Sequence, residues 1–343
     1  MALDTTCNIG FRHESAEGTD PISSADTDPN DRWWKFGRLT HDINNLVPIE
    51  THNWAPIYKG NARSPSDAQL ITTQVSSGVA YYPVNLIPYQ MVMGNASSHS
   101  VAANVHTIDN INTGSLDTFT VRSEMTGGTD AKYTSSTGCK AQSLSGMISF
   151  LDEWKVLSHT LSYNAFKTDT PTLNSAHDGL KYPTTNSEMA GTEVDELFRY
   201  DTNTLWSWDG DDFINELAIF NFMITNNHKL GFVENQAELE FIDEGNYQFM
   251  ITASLWRGNC SELYVDYLSE NQFDIVFTIY AGSTNYKTLT WSNVALQELK
   301  APQGLGEKKK FWNIAGFAED LTITGKDGLD GTAAQNEFFG ESL

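Results

Sequence analysis

Short stretches in which apolar and polar residues alternate run along the chain from about Trp33 onward. The alternation is clear in Thr118–Arg122 and Ile275–Ile279, and from Tyr247 to Ala253 every second side chain is apolar. A period of two residues indicates a strand with one buried face. Helical spacing is clearest in Ser261–Leu268. The pattern predicts an all-β fold, a sandwich or barrel with one or two short helices.

The run Leu217–Ile224 differs because almost every residue in it is apolar. Such a run predicts a strand covered on both faces, by the core on one side and by a partner on the other. It stops at Asn226-Asn227-His228, which is a turn signal.

A weak internal repeat suggests how the strands are grouped. Phe119-Thr120-Val121 resembles Phe277-Thr278-Ile279, Cys139–Leu144 resembles Val294–Leu299, and the strand ending at Tyr163 resembles Leu321–Ile323. Chance similarity among strands is the alternative explanation. The repeat predicts two tandem β-domains, over residues 33–167 and 205–325. An acidic extended arm (1–32) would precede them, a linker (168–204) would join them, and a C-terminal tail (326–343) would follow.

Composition excludes several classes of function. The 343 residues include 44 Asp and Glu against 21 Lys and Arg, a formal charge of -23. This balance disfavours tight binding to phosphate backbones, and the run Lys308–Lys310 is typical of a solvated turn. The three cysteines lack CxxC spacing, which predicts neither a disulfide framework nor a zinc site. No secretion signal or membrane-spanning stretch is predicted.

Candidate catalytic chemistry is sparse. The eight histidines show no HxH or HExxH spacing, and no GxSxG, P-loop or GxGxxG motif occurs. The sequence therefore predicts no catalytic, cofactor-binding or metal-binding residues, no cofactor and no enzymatic activity. His159 alternates with Leu157 and Leu161, which predicts a core or interface histidine. Asp209–Asp212 after Trp206 and Trp208 is compatible with a sugar or calcium site, but a polar turn is the favoured interpretation.

Three aromatic residues just after the acidic arm, Trp33, Trp34 and Phe36, form a possible subunit interface. Aromatic side chains beside an extended segment often anchor it on a neighbouring subunit. Packing in the chain's own core is the equal alternative.

The order of these elements resembles that of the major tail tube proteins of long-tailed (siphovirus-like) bacterial or archaeal viruses. Lys35–Ile43 is similar to the family's opening segment, Tyr58–Pro65 to its following loop, and Val84–Gly94 to a strand ending in a small residue. Gly138-Cys139-Lys140 resembles the family's "G-C-K" strand, and Leu217 to Asn227 its later strand ending in paired asparagines.

The resemblance implies a structural virion protein that self-associates into stacked rings. The rings would be trimeric (pseudo-hexameric) if the chain is duplicated and hexameric otherwise. Sheets would join side by side around a lumen through which viral DNA passes without sequence-specific binding. The location would be the virion tail, with assembly in the host cytoplasm; other tail proteins would be partners, and no membrane would be involved.

Other functions remain open at this point. The long linker and arm would suit a specialised tail component such as a terminator, adaptor or tip ring. A capsid-decorating protein shares the acidic β-rich profile. A carbohydrate-binding or glycan-hydrolysing β-sandwich would use Trp206, Trp208 and the carboxylates that follow them.

Overall fold

A computed structural model describes residues 6–14, 17–19, 33, 36–39, 49–57, 67–94, 96–100, 105–109, 116–127, 130–169, 197–232, 239–256, 261–300 and 311–326. In chain order the elements are β1 (Thr6–His13), β2 (Gly37–Leu39), β3 (Ile49–Ile57), β4 (Asp67–Pro83), α1 (Ile87–Met93), β5 (Ala96–Ser100), β6 (Val105–Ile108), β7 (Phe119–Gly127), β8 (Asp130–Ser149), β9 (Ser158–Ala165), β10 (Lys167–Asp169), β11 (Leu205–Trp208), β12 (Asp211–Asp212), β13 (Leu217–Asn226), β14 (Lys229–Phe232), β15 (Leu239–Asp243), β16 (Tyr247–Trp256), α2 (Ser261–Leu268), β17 (Phe273–Ala281), β18 (Asn285–Lys300), β19 (Phe311–Ala318) and β20 (Asp320–Lys326). The all-β prediction with two short helices is confirmed.

The central layer, which we call the front sheet, contains antiparallel strands in the order β3-β4-β9-β8-β13-β16-β19-β18, with β2 also paired to β4. Behind it lie two back sheets, β1-β7-β8-β10 and β12-β11-β17-β18-β20-β6-β5. β8 and β18 belong to both layers, because each is long enough to pair with one set of strands in its first half and another in its second.

Strand pairing in the first half of the chain recurs in the second half. The pairs β1–β7, β7–β8, β8–β10, β8–β9, β9–β4 and β4–β3 correspond to β11–β17, β17–β18, β18–β20, β18–β19, β19–β16 and β16–β13. In chain order, a helix follows the third of these strands in each half, α1 after β4 and α2 after β16.

Two β-bulges recur as well. Opposite β9, the register of β8 shifts between Ala141 and Ser143, and opposite β19 that of β18 shifts between Leu296 and Glu298. The hairpins β7–β8 and β17–β18 share a second register shift at the end away from the hairpin turn, between Phe119 and Val121 in β7 and between Phe273 and Ile275 in β17. Because a bulge interrupts the ladder at one residue, shared bulges fix how the two halves align.

This alignment corrects part of the sequence repeat. Cys139–Leu144 does correspond to Val294–Leu299. Phe119, however, corresponds to Phe273 rather than to Phe277, since these are the residues opposite Cys139 and Val294. The strand ending at Tyr163 corresponds to β19, not to β20. A period of two makes neighbouring registers look equally good in sequence.

The proposed boundaries also need correction. Residues 6–14 are part of the fold rather than of an unpacked arm, because β1 pairs with β7 along its whole length and Phe11 is buried. At the end of the linker, Phe198 is buried and Arg199 bridges Val156 and Tyr280. The remaining positions of the arm and linker, and the tail after Lys326, lie mostly outside the described residues.

The prediction of a strand over Val84–Gly94 is wrong, since most of this segment forms the helix α1. Pro88 lies in the first turn, where a missing N–H costs nothing, and the Ile87 N–H donates to Asn85 Oδ1 at 3.2 Å. Every residue of α1 is buried, so the segment has no polar face to reveal helical periodicity.

The core fills the space between the front and back sheets. Aromatic rings meet across it in both halves: Phe119 and Tyr163 have centroids 5.9 Å apart, and Phe220 and Phe277 have centroids 5.2 Å apart. Such edge-to-face and tilted contacts are favourable beyond the area that they bury. In the described part of the chain, the core therefore packs against one side of the front sheet.

Candidate functional site

The front sheet crosses from one half of the chain to the other without a break. Residues Ser143–Ser149 of β8 pair antiparallel with Ile219–Thr225 of β13. We call this contact the internal joint. Gly146 lies opposite Phe222, and a Cβ at Gly146 would lie 2.1 Å from Phe222 Cζ. The absence of a side chain at Gly146 thus allows the Phe222 ring to lie across β8.

Beneath the internal joint lies a buried cluster of polar and aromatic groups. The Tyr89 hydroxyl of α1 is 2.9 Å from His159 Nε2, and the Tyr89 ring stacks on Phe222 with centroids 6.3 Å apart. Lys287 Nζ lies 3.9 Å from the centroid of the Phe198 ring and donates to the Asn85 carbonyl at 3.3 Å. α1 and its neighbours therefore support both strands of the joint.

Burial sets the protonation of this cluster. It lowers the pKa of His159 well below its usual value, and the nearby Lys287 charge lowers it further. It also raises the pKa of Tyr89 well above the ordinary range. A histidine held neutral and a phenol held protonated can share a hydrogen bond but lack the access to solvent that acid–base catalysis of a bound substrate needs. This confirms the prediction of a core histidine.

The outer side of the front sheet, opposite the core, carries no ionisable side chain on the strands β9, β8, β13, β16 and β19. We call this surface the neutral face. Its residues alternate with the buried ones along each strand. They are Ser143, Ser145, Met147, Ser149, Ser158, Thr160, Ser162, Ile219, Asn221, Met223, Thr225, Gln248, Met250, Thr252, Ser254, Trp256, Phe311, Asn313, Ala315 and Phe317.

This composition is unusual for the protein, in which 19% of all residues are charged and the formal charge is -23. Several polar groups on the face pair with each other: Asn221 Nδ2 donates to Thr252 Oγ1 at 3.1 Å, and Ser254 Oγ donates to Asn313 Oδ1 at 2.7 Å. Met147 and Met223 flank a shallow groove of about 440 Å³ at the internal joint. The face offers short polar groups, thioethers and a few aromatic side chains, and no fixed charge.

The two faces of β13 differ in burial, and the partner predicted for its outer face stays a prediction. Its inner side chains are buried, but Met223 on the outer side is 38% exposed. The strand ends at Asn226, as the turn signal predicted. An apolar run with one exposed face is expected where that face meets something outside the chain.

Two carboxylates tie the surrounding segments to the sheet. Glu14 is buried and accepts from Thr120 Oγ1 at 2.6 Å and from the Gly138 N–H at 2.8 Å. Glu244, between β15 and β16, accepts from Lys140 Nζ at 2.8 Å. Sequence reasoning assigned no role to either residue, since Glu14 lies in a predicted acidic arm and the pair Asp243-Glu244 was interpreted as a turn.

Of the predicted interface residues, Trp33 and Phe36 lie within the chain's own core. Trp33 is 2% exposed and lies under the Arg122 guanidinium at 4.6 Å, and the Phe36 ring packs on Phe11 with centroids 4.4 Å apart. Trp34 lies outside the described residues. Own-core packing accounts for the two residues that are described, and a role in a subunit interface stays a prediction.

The residues of the carbohydrate alternative do not form an exposed platform. Trp206 is fully buried and Trp208 is 3% exposed, stacked on Phe273 with centroids 3.6 Å apart. A sugar ring cannot reach either indole. Asp209 and Gly210 both have positive φ, at 48° and 90°, and form the tight turn between β11 and β12. The polar-turn interpretation is confirmed.

Within the described residues no group of three or more His, Cys, Asp or Glu side chains is arranged to hold a metal ion. No described helix is long and apolar enough to span a membrane. No protein-family model matches the chain, and no curated protein matches it.

Proposed function

We propose that the chain is a structural, non-enzymatic subunit of a viral tail tube, which stacks in rings around a channel for DNA. The observation that carries the proposal is the neutral face, spread over a front sheet that both halves of the chain build together. This surface would line the channel.

An uncharged wall suits the passage of DNA. Lysine and arginine side chains would hold phosphates by displacing counterions, and each such contact would slow a moving duplex. Acidic residues outnumber basic ones in the chain as a whole, with a formal charge of -23, which disfavours the binding of DNA to other surfaces. The proposed channel wall is therefore uncharged, whereas the net charge of the chain alone would suggest a negatively charged wall.

The recurrence of strand pairing supports a ring built from three chains. If the two halves are tandem tube domains, three chains supply six similar units, and three of the six joints between units are the internal joint described above. A head-to-tail contact of this kind closes into a ring when the rotation per unit divides a full turn.

Electron microscopy of the purified protein over a range of concentrations and salt tests the proposal. We expect hollow tubes or stacked rings with three-fold symmetry. Dispersed monomers under every condition would contradict it. Binding to preformed capsids without polymerisation would favour a capsid-decorating protein, and single rings that never stack would favour a terminator, adaptor or tip ring.

A second measurement tests the role of the neutral face. Replacing Ser145 and Thr252 with lysine adds positive charge to its middle, and we expect tubes that retain DNA in low salt. Unchanged DNA retention by well-formed tubes would assign the channel to another surface.

A further inference from the structure

Among the described residues, one edge of the front sheet has no partner strand at the place where the first half forms the internal joint. β8 has β9 on one side of its second half and β13 on the other. The equivalent part of β18, from Ala295 to Lys300, has β19 on one side, and no described strand lies on the other. Unpaired edges of this kind are sites for the addition of a further strand.

The helix beside the open edge exposes apolar side chains. α1 is buried throughout, partly through the contact of Tyr89 with Phe222 on β13. On α2, by contrast, Tyr264 is 46%, Val265 58% and Leu268 61% exposed. A groove of about 480 Å³ separates α2 from β18 and is lined by residues that include Leu268 and Leu296.

The opposite margin of the front sheet offers a strand equivalent to β13. β3 pairs with β4 as β13 pairs with β16, and its other edge has no partner among the described residues. Glu50 lies opposite Val75, and Ile224 lies opposite Phe249. Val75 and Phe249 are themselves equivalent, because they pair with Ala165 and Ala318 at matching positions of β9 and β19.

We propose that β3 of a second copy of this chain binds in the groove between α2 and β18, as β13 covers α1 and β8 within the chain. Transferring the internal register, in which Thr225 lies opposite Ser143, predicts an antiparallel ladder with Thr51 opposite Glu298. The two partners of this joint are different surfaces, so each chain both gives and receives a strand. The inference rests on the proposed function, since it names the contact that joins neighbours in the ring.

Cysteine cross-linking tests the register. The double variant Thr51→Cys/Glu298→Cys should form disulfides between chains under mild oxidation, with trimers as the largest species on a non-reducing gel. Antiparallel neighbours bring the Cβ atoms into the range that a disulfide requires. Ser143→Cys/Thr225→Cys, at the equivalent place in the internal joint, is the matched control and should cross-link only within a chain.

The single variants Thr51→Cys and Glu298→Cys serve as a second control, because a cross-link in either of them would come from the native Cys7, Cys139 or Cys260. Rings that form without a cross-link between chains would overturn this inference and leave the proposed function standing. Failure of both assembly and cross-linking would overturn both.

A charge on the exposed face of α2 provides an independent test. Leu268→Asp should raise the protein concentration needed for ring formation by tenfold or more, because the joint would bury an unpaired carboxylate. Ser269→Asp places the same charge one residue further on, outside the lining of the groove, and should change this concentration less than threefold. Equal effects of the two substitutions would contradict a joint at this helix face.

Discussion

At the scale of single residues, the packing at the internal joint depends on the absence of a side chain at Gly146. Gly146 leaves room for a ring that four other aromatic side chains surround: Phe222 lies near Tyr89, His159, Phe220 and Trp291. With so many neighbours, the ring has little freedom to move aside.

Gly146→Ala should therefore lower the free energy of unfolding by about 1–3 kcal/mol, the usual cost of overfilling a packed core. Urea denaturation monitored by tryptophan fluorescence measures the change. Gly78→Ala in β4 is the control, because a Cβ there would make only ordinary contacts, the nearest at 3.4 Å, and should cost much less. Equal stability of the two variants would mean that Phe222 is not fixed by this contact.

Stability should also depend on pH through the histidines. Burial lowers the pKa of His228 to about 4, outweighing the opposing effect of Glu244. Below about pH 6.5 the unfolded chain takes up a proton that the folded chain does not bind until about pH 4, so stability should fall as the pH drops through this window.

His159 should act in the same direction, because its pKa is lowered too. The unfolding free energy measured from pH 7 to pH 4 should decrease less steeply in His228→Gln than in the unchanged protein. Identical slopes would exclude His228 as a contributor.

At the scale of elements, sequence predicted the type of most strands but not their partners. β16 and β17 alternate cleanly and were recognisable, and α2 was predicted with its observed bounds. α1 was missed because burial on all sides removes its periodicity. The neutral face was missed for another reason: each strand supplies only three to five uncharged positions, polar and apolar, and only pairing places them side by side.

Elements are also held together by ion pairs that cross long stretches of sequence. Lys140 of β8 is almost buried, and its Nζ lies 2.8 Å from Glu244 Oε1 and 3.5 Å from Glu17 Oε1. Glu244 is mostly buried, whereas Glu17 is 51% exposed. The first pair should therefore matter far more than the second.

Glu244→Ala should destabilise the protein by about 1–3 kcal/mol, because it removes the closer carboxylate from a nearly buried ammonium group. Glu17→Ala should cost less than about 1 kcal/mol. Thermal or chemical unfolding of the two variants makes the comparison. A larger effect for Glu17→Ala would contradict the assigned pairing.

At the scale of the whole molecule, the repeated pairing pattern links the fold to assembly. The sequence repeat indicated a duplication, but the register of its first strand was displaced by four residues, and a short period-two pattern contains nothing to reveal the error. The bulges on β8 and β18 fix the alignment because each marks a single residue. That alignment makes the open edge of β18 recognisable as the counterpart of the internal joint.

One pairing within the fold bears on the order of events during synthesis. β6, in the first half, pairs with β20 near the end of the described chain, and Thr107 Oγ1 lies 3.4 Å from Thr324 Oγ1 across 217 positions of sequence. Contacts so distant along the chain form slowly, since a long loop must close first. When the first half of the chain leaves the ribosome, β6 cannot yet pair with β20, because β20 has not been synthesised. Folding is thus completed only after most of the chain has been translated, which keeps unfinished chains from presenting a complete subunit.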